Sequence, residues 1–293
     1  MRLPTLFFAL APTLASVGCG DGGDDNVFLA ETPVVIAHGG GQGLGPDHTL
    51  LSYGLSLDAG TDVLELDVHL SADGDVIVMH DDTVDRKTDG TGLIREMTTA
   101  EIQSLDAAYR WTPDGGETFP YRGMGITVPT ADEVFEAYPD AWYVIEIKQV
   151  LPSMVDDLVA LLDEHDLRDR ALVASFNRLT IEAFREAAPD VLTSLSEDEG
   201  IELGLPLLLG SPLPEGYEVP ASFFQVPRYF DVPGIGRREV LTEELIGQAA
   251  ELGVIMHAWT INDPDEMDVL LSRGVRGLIT DFPDRARDRV DAM

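Results

Sequence analysis

Eight apolar runs of strand length, amphipathic stretches of helix length between most of them, and a chain of 293 residues predict an α/β fold, a TIM (β/α)8 barrel with a small β-hairpin arm inserted after the second strand. Such a barrel takes about 250 residues, so the length allows one barrel with short extras. An apolar content of 44% supplies a core of that size. No internal repeat and no second domain interrupt the alternation.

The first 31 residues read apart from the barrel. Met1 and Arg2 precede an apolar run over 3–17, and Gly18-Cys19-Gly20 follows, the pattern of an export signal. The run is too short to cross a bilayer comfortably. Cys19 is the one cysteine, so no internal disulfide is available. Placed after a small residue, it resembles the lipid-attachment site of bacterial lipoproteins, with Ser16 where that motif has a larger aliphatic side chain. The expectation is a signal peptide over 1–19 and a chain exported to the cell envelope, periplasm or outer surface, held at the membrane by a lipid on Cys19. An ordinary signal peptide cleaved nearby is the alternative. Residues 20–31, acidic and glycine-rich, read as a flexible tether, and the barrel is expected over 32–293.

The first strand is 33–38 (PVVIAH), by its Val and Ile content. A helix over 49–59 ends at Gly60. The second strand, 63–70 (VLELDVHL), is followed closely by 76–80 (VIVMH). A parallel crossover needs a dozen residues or more, so these two runs form an antiparallel hairpin. With its turn centred on Asp73, position 80 falls roughly opposite 66. The remaining barrel strands are 143–148, 171–176, 191–196, 223–227, 254–260 and 277–281, and helices are expected over 130–138, 152–165, 178–187, 242–252 and 264–273. The segments 85–125 and 197–221, richer in Gly and Pro, read as loops or insertions.

The net charge is -34, from 53 acidic and 19 basic residues. That surface repels nucleic acid and anionic membranes at long range and excludes a nucleic-acid partner.

In a TIM barrel the site lies at the C-terminal ends of the strands. His38 ends the first. Glu65 and Asp67, two apart on the second, share a face, and Glu146 and Lys148 repeat that spacing on the third. Asn262 follows the seventh and Asp281 ends the eighth. The hairpin hangs His80 beside Glu65 and Asp67. Three acids and a lysine inside an apolar barrel are costly unless paired or metal-bound. Carboxylates suit a hard divalent ion, Ca2+ or Mg2+, and two histidines suit acid–base work at neutral pH. There is no GxSxG elbow. Plainer readings stand beside these: outward-facing acids at 65 and 67, a simple Glu146–Lys148 ion pair, His80 as a mere hairpin residue, and Trp259 as either core packing or a stacking surface for substrate. His257 reads as structural, His69 as a residue that can line the mouth, and His165 as a charge late in a helix. The GGGQG run over 39–43 reads as a flexible loop near a bound phosphate.

Taken in order, these stretches resemble the glycerophosphodiester phosphodiesterase family. Ile36-Ala37-His38-Gly39-Gly40 and Pro46-Asp47-His48-Thr49-Leu50 resemble its His-Arg-Gly and Pro-Glu-Asn-Thr signatures. Leu64-Glu65-Leu66-Asp67-Val68 resembles its metal-ligand strand, and Ser71 to Gly74 with His80-Asp81 its following arm. Glu146-Ile147-Lys148, Ser175-Phe176, Trp259-Thr260-Ile261-Asn262 and Thr280-Asp281-Phe282-Pro283 resemble later signatures. The resemblance covers about residues 33 to 285. It implies one divalent ion on Glu65, Asp67 and Glu146, His38 and His80 as acid and base, and substrate contacts from Lys148, position 39 and Trp259. It implies metal-dependent hydrolysis of glycerophosphodiesters to glycerol 3-phosphate and an alcohol, the substrate's neighbouring hydroxyl acting as nucleophile. Two positions depart from the pattern: Gly39 replaces an arginine that helps hold phosphate, and Asp47-His48 replaces Glu-Asn. An arginine grips phosphate through a bidentate fork; Arg86, Arg110 and Arg228 are candidates to replace it. His48 either adds an imidazole near the site or contacts the loop. Two other readings follow. An apolar channel over 200–230, with 205–209 and Phe223-Phe224, would favour lysophospholipids cleaved in the manner of a phospholipase D. Loss of the arginine would instead suit a non-catalytic lipoprotein that binds glycerophosphate groups.

Overall fold

The computed structural model describes residues 26–232 and 234–293. The expected signal segment, Cys19 and most of the expected tether lie outside them. In chain order the elements are β1 (Val34–Ala37), α1 (Leu50–Asp58), β2 (Val63–Leu70), β3 (Val76–Val78), α2 (Thr99–Gln103), α3 (Ala131–Ala137), β4 (Trp142–Ile147), α4 (Val155–Glu164), β5 (Ala171–Ala174), α5 (Arg178–Ala187), β6 (Leu192–Thr193), α6 (Glu197–Leu208), β7 (Phe223–Pro227), β8 (Tyr229–Val232), β9 (Gly236–Glu239), α7 (Glu243–Glu251), β10 (Ile255–Trp259), α8 (Pro264–Ser272), β11 (Gly277–Thr280) and α9 (Pro283–Val290).

Eight strands run parallel in the order β6-β5-β4-β2-β1-β11-β10-β7. The ring closes through a thin seam: Ser194, just past β6, bridges Phe223 at the start of β7, and the Leu195 N–H donates to the Phe223 carbonyl at 2.8 Å. This is the expected TIM barrel. β3 lies antiparallel on β2 with Val68 opposite Val78, the register that a turn centred on Asp73 sets.

Strand alternation sorts the side chains. Val34, Ile36, Val63, Val144, Leu172, Phe223 and Ile279 fill the barrel interior. Their outward neighbours, such as Leu64, Leu66, Ile145 and Val173, pack beneath the helices. The interior column also recruits Phe28, which is 1% exposed. Its ring stands edge-on to Trp142 at 5.7 Å and to Phe223 at 6.1 Å. Both partners open their strands, so Phe28 covers the N-terminal end of the barrel. The tether boundary expected at residue 31 therefore moves back: 26–31 belongs to the barrel, because the open bottom of the apolar interior is covered by this aromatic side chain.

A second correction concerns 197–221, expected as loop. Its first half is α6, started by a capping box in which the Ser196 side chain accepts from the Glu199 N–H and the Glu199 carboxylate accepts from the Ser196 N–H. Three acids in the first turn complement the helix dipole. Pro206 sits in the last turn, where a missing N–H still leaves the preceding turns intact. The β8–β9 hairpin and α9 were also absent from the sequence reading. Position 85–125 is loop apart from α2 and a single 3-10 turn at Ile94–Glu96.

Candidate active site

The cavity at the C-terminal end of the barrel, about 470 Å³, is lined by His38, Glu65, His80, Glu146, Lys148 and Trp259 among others. Register explains how the first of these meets its support. Ala37 on β1 lies beside Thr280 on β11, so the next residues, His38 and Asp281, are neighbours. His38 Nδ1 lies 2.7 Å from Asp281 Oδ1, and because a carboxylate only accepts, this nitrogen carries the proton. Asp281 is itself fixed, accepting from Gln42 Nε2 on Oδ1 and from Asn262 Nδ2 on Oδ2, each at 2.7 Å. Burial works against a charged His38, but the Asp281 hydrogen bond and the Glu65 and Asp67 carboxylates outweigh it and push its pKa up to about 9.

His80 is held in the same manner from the other side. Its Nδ1 lies 2.8 Å from Asp81 Oδ1, and Asp81 in turn accepts from Arg86 Nε at 2.6 Å. Each imidazole thus has Nδ1 committed to an aspartate, which leaves Nε2 for reaction.

Between them lies the acidic cluster. Asp67 and Glu146 are register partners on β2 and β4. With Glu65 they present carboxylate oxygens within 4.8 Å of one another. Burial, then the neighbouring Asp67, pushes Glu65 up to about 8; the same two causes push Glu146 up to about 6. Asp67 goes the other way. Burial opposes its charge, but the hydrogen bond from His48 and the charge of Lys148 hold it far below the usual carboxylate range. Lys148 Nζ lies 2.9 Å from Glu146 Oε1 and 3.2 Å from Asp67 Oδ1, and the buried Asp67 Oδ1 has the Lys148 charge beside it but no hydrogen-bond partner. Three carboxylates face one lysine. An orphaned buried oxygen, two carboxyls with raised pKa values and an all-oxygen donor set are what a hard divalent cation would satisfy.

The remaining expected residues sort clearly. Trp259 lines the cavity and stands edge-on to Phe176 at 6.0 Å. Gly39 is not among the residues lining it; its N–H donates to Glu65 Oε2 and supports that cluster carboxylate. Its backbone is left-handed, φ 54°, and an added Cβ would meet His48 Nε2 and Asp47 Cβ at 3.4 Å. His48 fills that side, buried, with Nε2 2.9 Å from Asp67 Oδ2 and Nδ1 3.2 Å from the Tyr53 hydroxyl. Burial lowers its pKa, which fits a neutral ring donating to Asp67 and accepting from Tyr53. Of the two readings of His48, the one near the site holds, as a support for Asp67.

Among the candidate arginines, Arg86 reaches the site through Asp81. Arg110 donates to the carbonyls of Asp85 and Thr88, and Arg228 is neutralised by Glu239 and Glu266. His69 is within 3.3 Å of the His80 carbonyl and lines a smaller cavity beside Lys148. His165 pairs with Asp132 on α3 at 2.7 Å. His257 is buried in the barrel, as its structural reading expects. Sequence reasoning missed Gln42, whose role depends on a turn that brings it to Asp281, and the buried Lys87, which donates to the Asp47 carbonyl. Residues within the described chain form no helix long and apolar enough to cross a membrane.

Its relatives make this TIM barrel a phosphoric diester hydrolase. The chain belongs to the glycerophosphoryl diester phosphodiesterase family, whose sequence model matches residues 38–285. It is 30% identical over 256 residues to a glycerophosphodiester phosphodiesterase of Caldanaerobacter subterraneus subsp. tengcongensis, covering 86% of this chain and 95% of that one. It is 28% identical over 293 residues to another of Bacillus subtilis, covering 97% and 93%. Among solved structures, it is similar to an Oleispira antarctica phosphodiesterase in complex with the product sn-glycerol-3-phosphate, with TM-score 0.69, 26% identity, and 89% and 97% of the two chains covered.

Proposed function

We propose that this chain hydrolyses glycerophosphodiesters to glycerol 3-phosphate and an alcohol, with Glu65, Asp67 and Glu146 holding a divalent cation, Ca2+ or Mg2+, and His38 and His80 exchanging protons. The observation that carries this reading is the pair of imidazoles, each tied by Nδ1 to an aspartate, facing one carboxylate cluster in one cavity. The product complex of the Oleispira relative supports the same substrate class.

The glycerol hydroxyl beside the ester attacks phosphorus and loses its proton to one imidazole Nε2. The bond from phosphorus to the leaving oxygen breaks, and the second imidazole protonates that oxygen. Water then opens the cyclic phosphate with the two histidines in exchanged roles. Asp281 and Asp81 keep the rings oriented and stabilise each imidazolium as it forms. Lys148 sits at the cavity wall, where its ammonium can meet a phosphate oxygen. A bound cation would supply Lewis-acid charge to the phosphate and a template for the hydroxyl.

The test is turnover of glycerophosphocholine by the purified full chain with Ca2+, Mg2+ or excess chelator, beside Glu65→Gln and His80→Ala. The expected result is cation-dependent release of glycerol 3-phosphate, reduced at least a hundredfold in both variants. Binding without turnover under every cation would overturn the enzymatic reading in favour of a glycerophosphate-binding protein. Full activity in chelator would remove the metal from it.

A further inference from the structure

Lysine is almost never fully buried without a partner, yet the Lys87 side chain is 3% exposed and is not among the residues lining the cavity. The turn that carries it is closed. The Thr88 N–H and hydroxyl both donate to the Val84 carbonyl, at 3.0 and 2.8 Å, and Arg110 Nε donates to the Thr88 carbonyl. From this turn the Lys87 ammonium donates to the Asp47 carbonyl and lies 4.0 Å from Asp47 Oδ2. Arg86 Nη2 stands 3.9 Å from the same carboxylate oxygen.

What the ammonium holds is a single peptide plane, the one that joins Asp47 to His48. The oxygen of this plane accepts from Lys87. Its N–H donates to the Gly39 carbonyl at 2.7 Å, and Gly39 is tied in turn by its own N–H to Glu65. The plane is thus pinned at both polar ends. His48 has a φ of 50°, a left-handed conformation that is unfavourable for a residue with a side chain and persists only when its surroundings over-determine it. That conformation carries the ring to the cluster, with Nε2 2.9 Å from Asp67 Oδ2. With Oδ2 occupied, Oδ1 has no hydrogen-bond partner and is the oxygen that Asp67 can offer a cation beside Glu65 and Glu146.

We infer that Lys87 is a positioning residue for the cation site: through the Asp47–His48 peptide it holds His48 against Asp67, and so sets the affinity of the three-carboxylate cluster for a divalent cation. This rests on the reading of that cluster given above. The path from Lys87 to Asp67 passes through neither imidazole–aspartate pair, His38 with Asp281 or His80 with Asp81. Lys87 therefore acts on ion binding and not on proton transfer.

The experiment is calorimetry of the full chain with Ca2+ or Mg2+ alone, without substrate. Lys87→Met keeps the bulk of the buried stem and removes the donor. It is expected to weaken cation binding about tenfold, the low end for a lost support of a metal ligand. In a His48→Ala background the same change is expected to shift affinity by less than about twofold, because the path through the imidazole is already cut. Cation titration of glycerophosphocholine turnover is expected to show the same shift in the half-saturating concentration, with kcat at saturation within about threefold of wild type. Should Lys87→Met not fold, Asp47→Asn takes its place with the same expectations; it leaves the carbonyl and removes the carboxylate beside the ammonium. Equal affinity in wild type and variant, or a loss of the same size with and without His48, overturns the inference and leaves the proposed function standing. A kcat at saturating cation that falls as far as the affinity also overturns it, as the mark of general damage. If wild type binds neither ion, the cation of the proposed function fails and the inference fails with it.

Discussion

His257 shows how a single residue in the barrel can work against its own surroundings. It is fully buried, packed against the Phe223 ring at 5.3 Å, and neither ring nitrogen has a hydrogen-bond partner. It fits because position 277 is glycine; a Cβ there would lie 2.5 Å from the imidazole. Burial, then the charge of Arg276, lowers its pKa to about 3. Between about 6.5 and 3 the unfolded chain takes up a proton that the folded chain refuses, so this residue costs stability as pH falls through that window, up to about 1.4 kcal/mol per unit. His257→Leu is expected to be more stable than wild type by about 1 kcal/mol at pH 7 and by about 2 kcal/mol more at pH 5, measured by denaturant titration at both. Parallel pH slopes would mean that the imidazole is solvated after all. At this scale the grouping was legible: strand ends and period-2 spacing bring His38, Glu65, His80, Glu146 and Lys148 to one cavity, with Asp67 against Glu65 and Glu146. Their supports were less so. Gln42 reaches Asp281 across 239 positions, a pairing set by a loop turn that no local pattern encodes. His48 supports Asp67 in place of a smaller residue only because Gly39 clears its space.

Elements were legible where their period was regular. The eight barrel strands and the β2–β3 hairpin followed from apolar runs and one short turn. α6 did not, because two glycines and a proline within it read as loop, although Ser196 and Glu199 carried the capping-box spacing. The segment 26–31 was set aside for its acidic, glycine-rich neighbours, and the one aromatic in it was overlooked. Phe28→Ala tests that revision. Burial between Trp142 and Phe223 predicts a loss of about 3 kcal/mol, the low end for a buried phenylalanine, because the segment can also detach without unfolding the barrel. Turnover of glycerophosphocholine should persist, since Phe28 lies at the opposite end from the cavity. A melting temperature equal to wild type would return this segment to the tether.

At the scale of the whole molecule the dominant fact is charge. Fifty-three acids against nineteen bases give -34, and that field reaches the substrate before any side chain does. The family's arginine at position 39 is absent, and the cations near the site are already engaged: Lys148 by Glu146 and Asp67, and Arg86 by Asp81. A substrate with net negative charge therefore approaches against the field with little local help, while a zwitterionic one does not. Salt screens such steering, with a Debye length near 10 Å at 0.1 M and about 3 Å at 1 M. With divalent cation held constant, kcat/KM for glycerophosphoglycerol is expected to rise several-fold between 20 and 500 mM NaCl, while that for glycerophosphocholine stays within about twofold because its charges cancel. The two headgroups share the glycerophosphate half and the same chemistry, so a difference in slope isolates the field from the catalytic step. Equal slopes would show that substrate capture is governed at the cavity itself, with the surface charge serving only solubility.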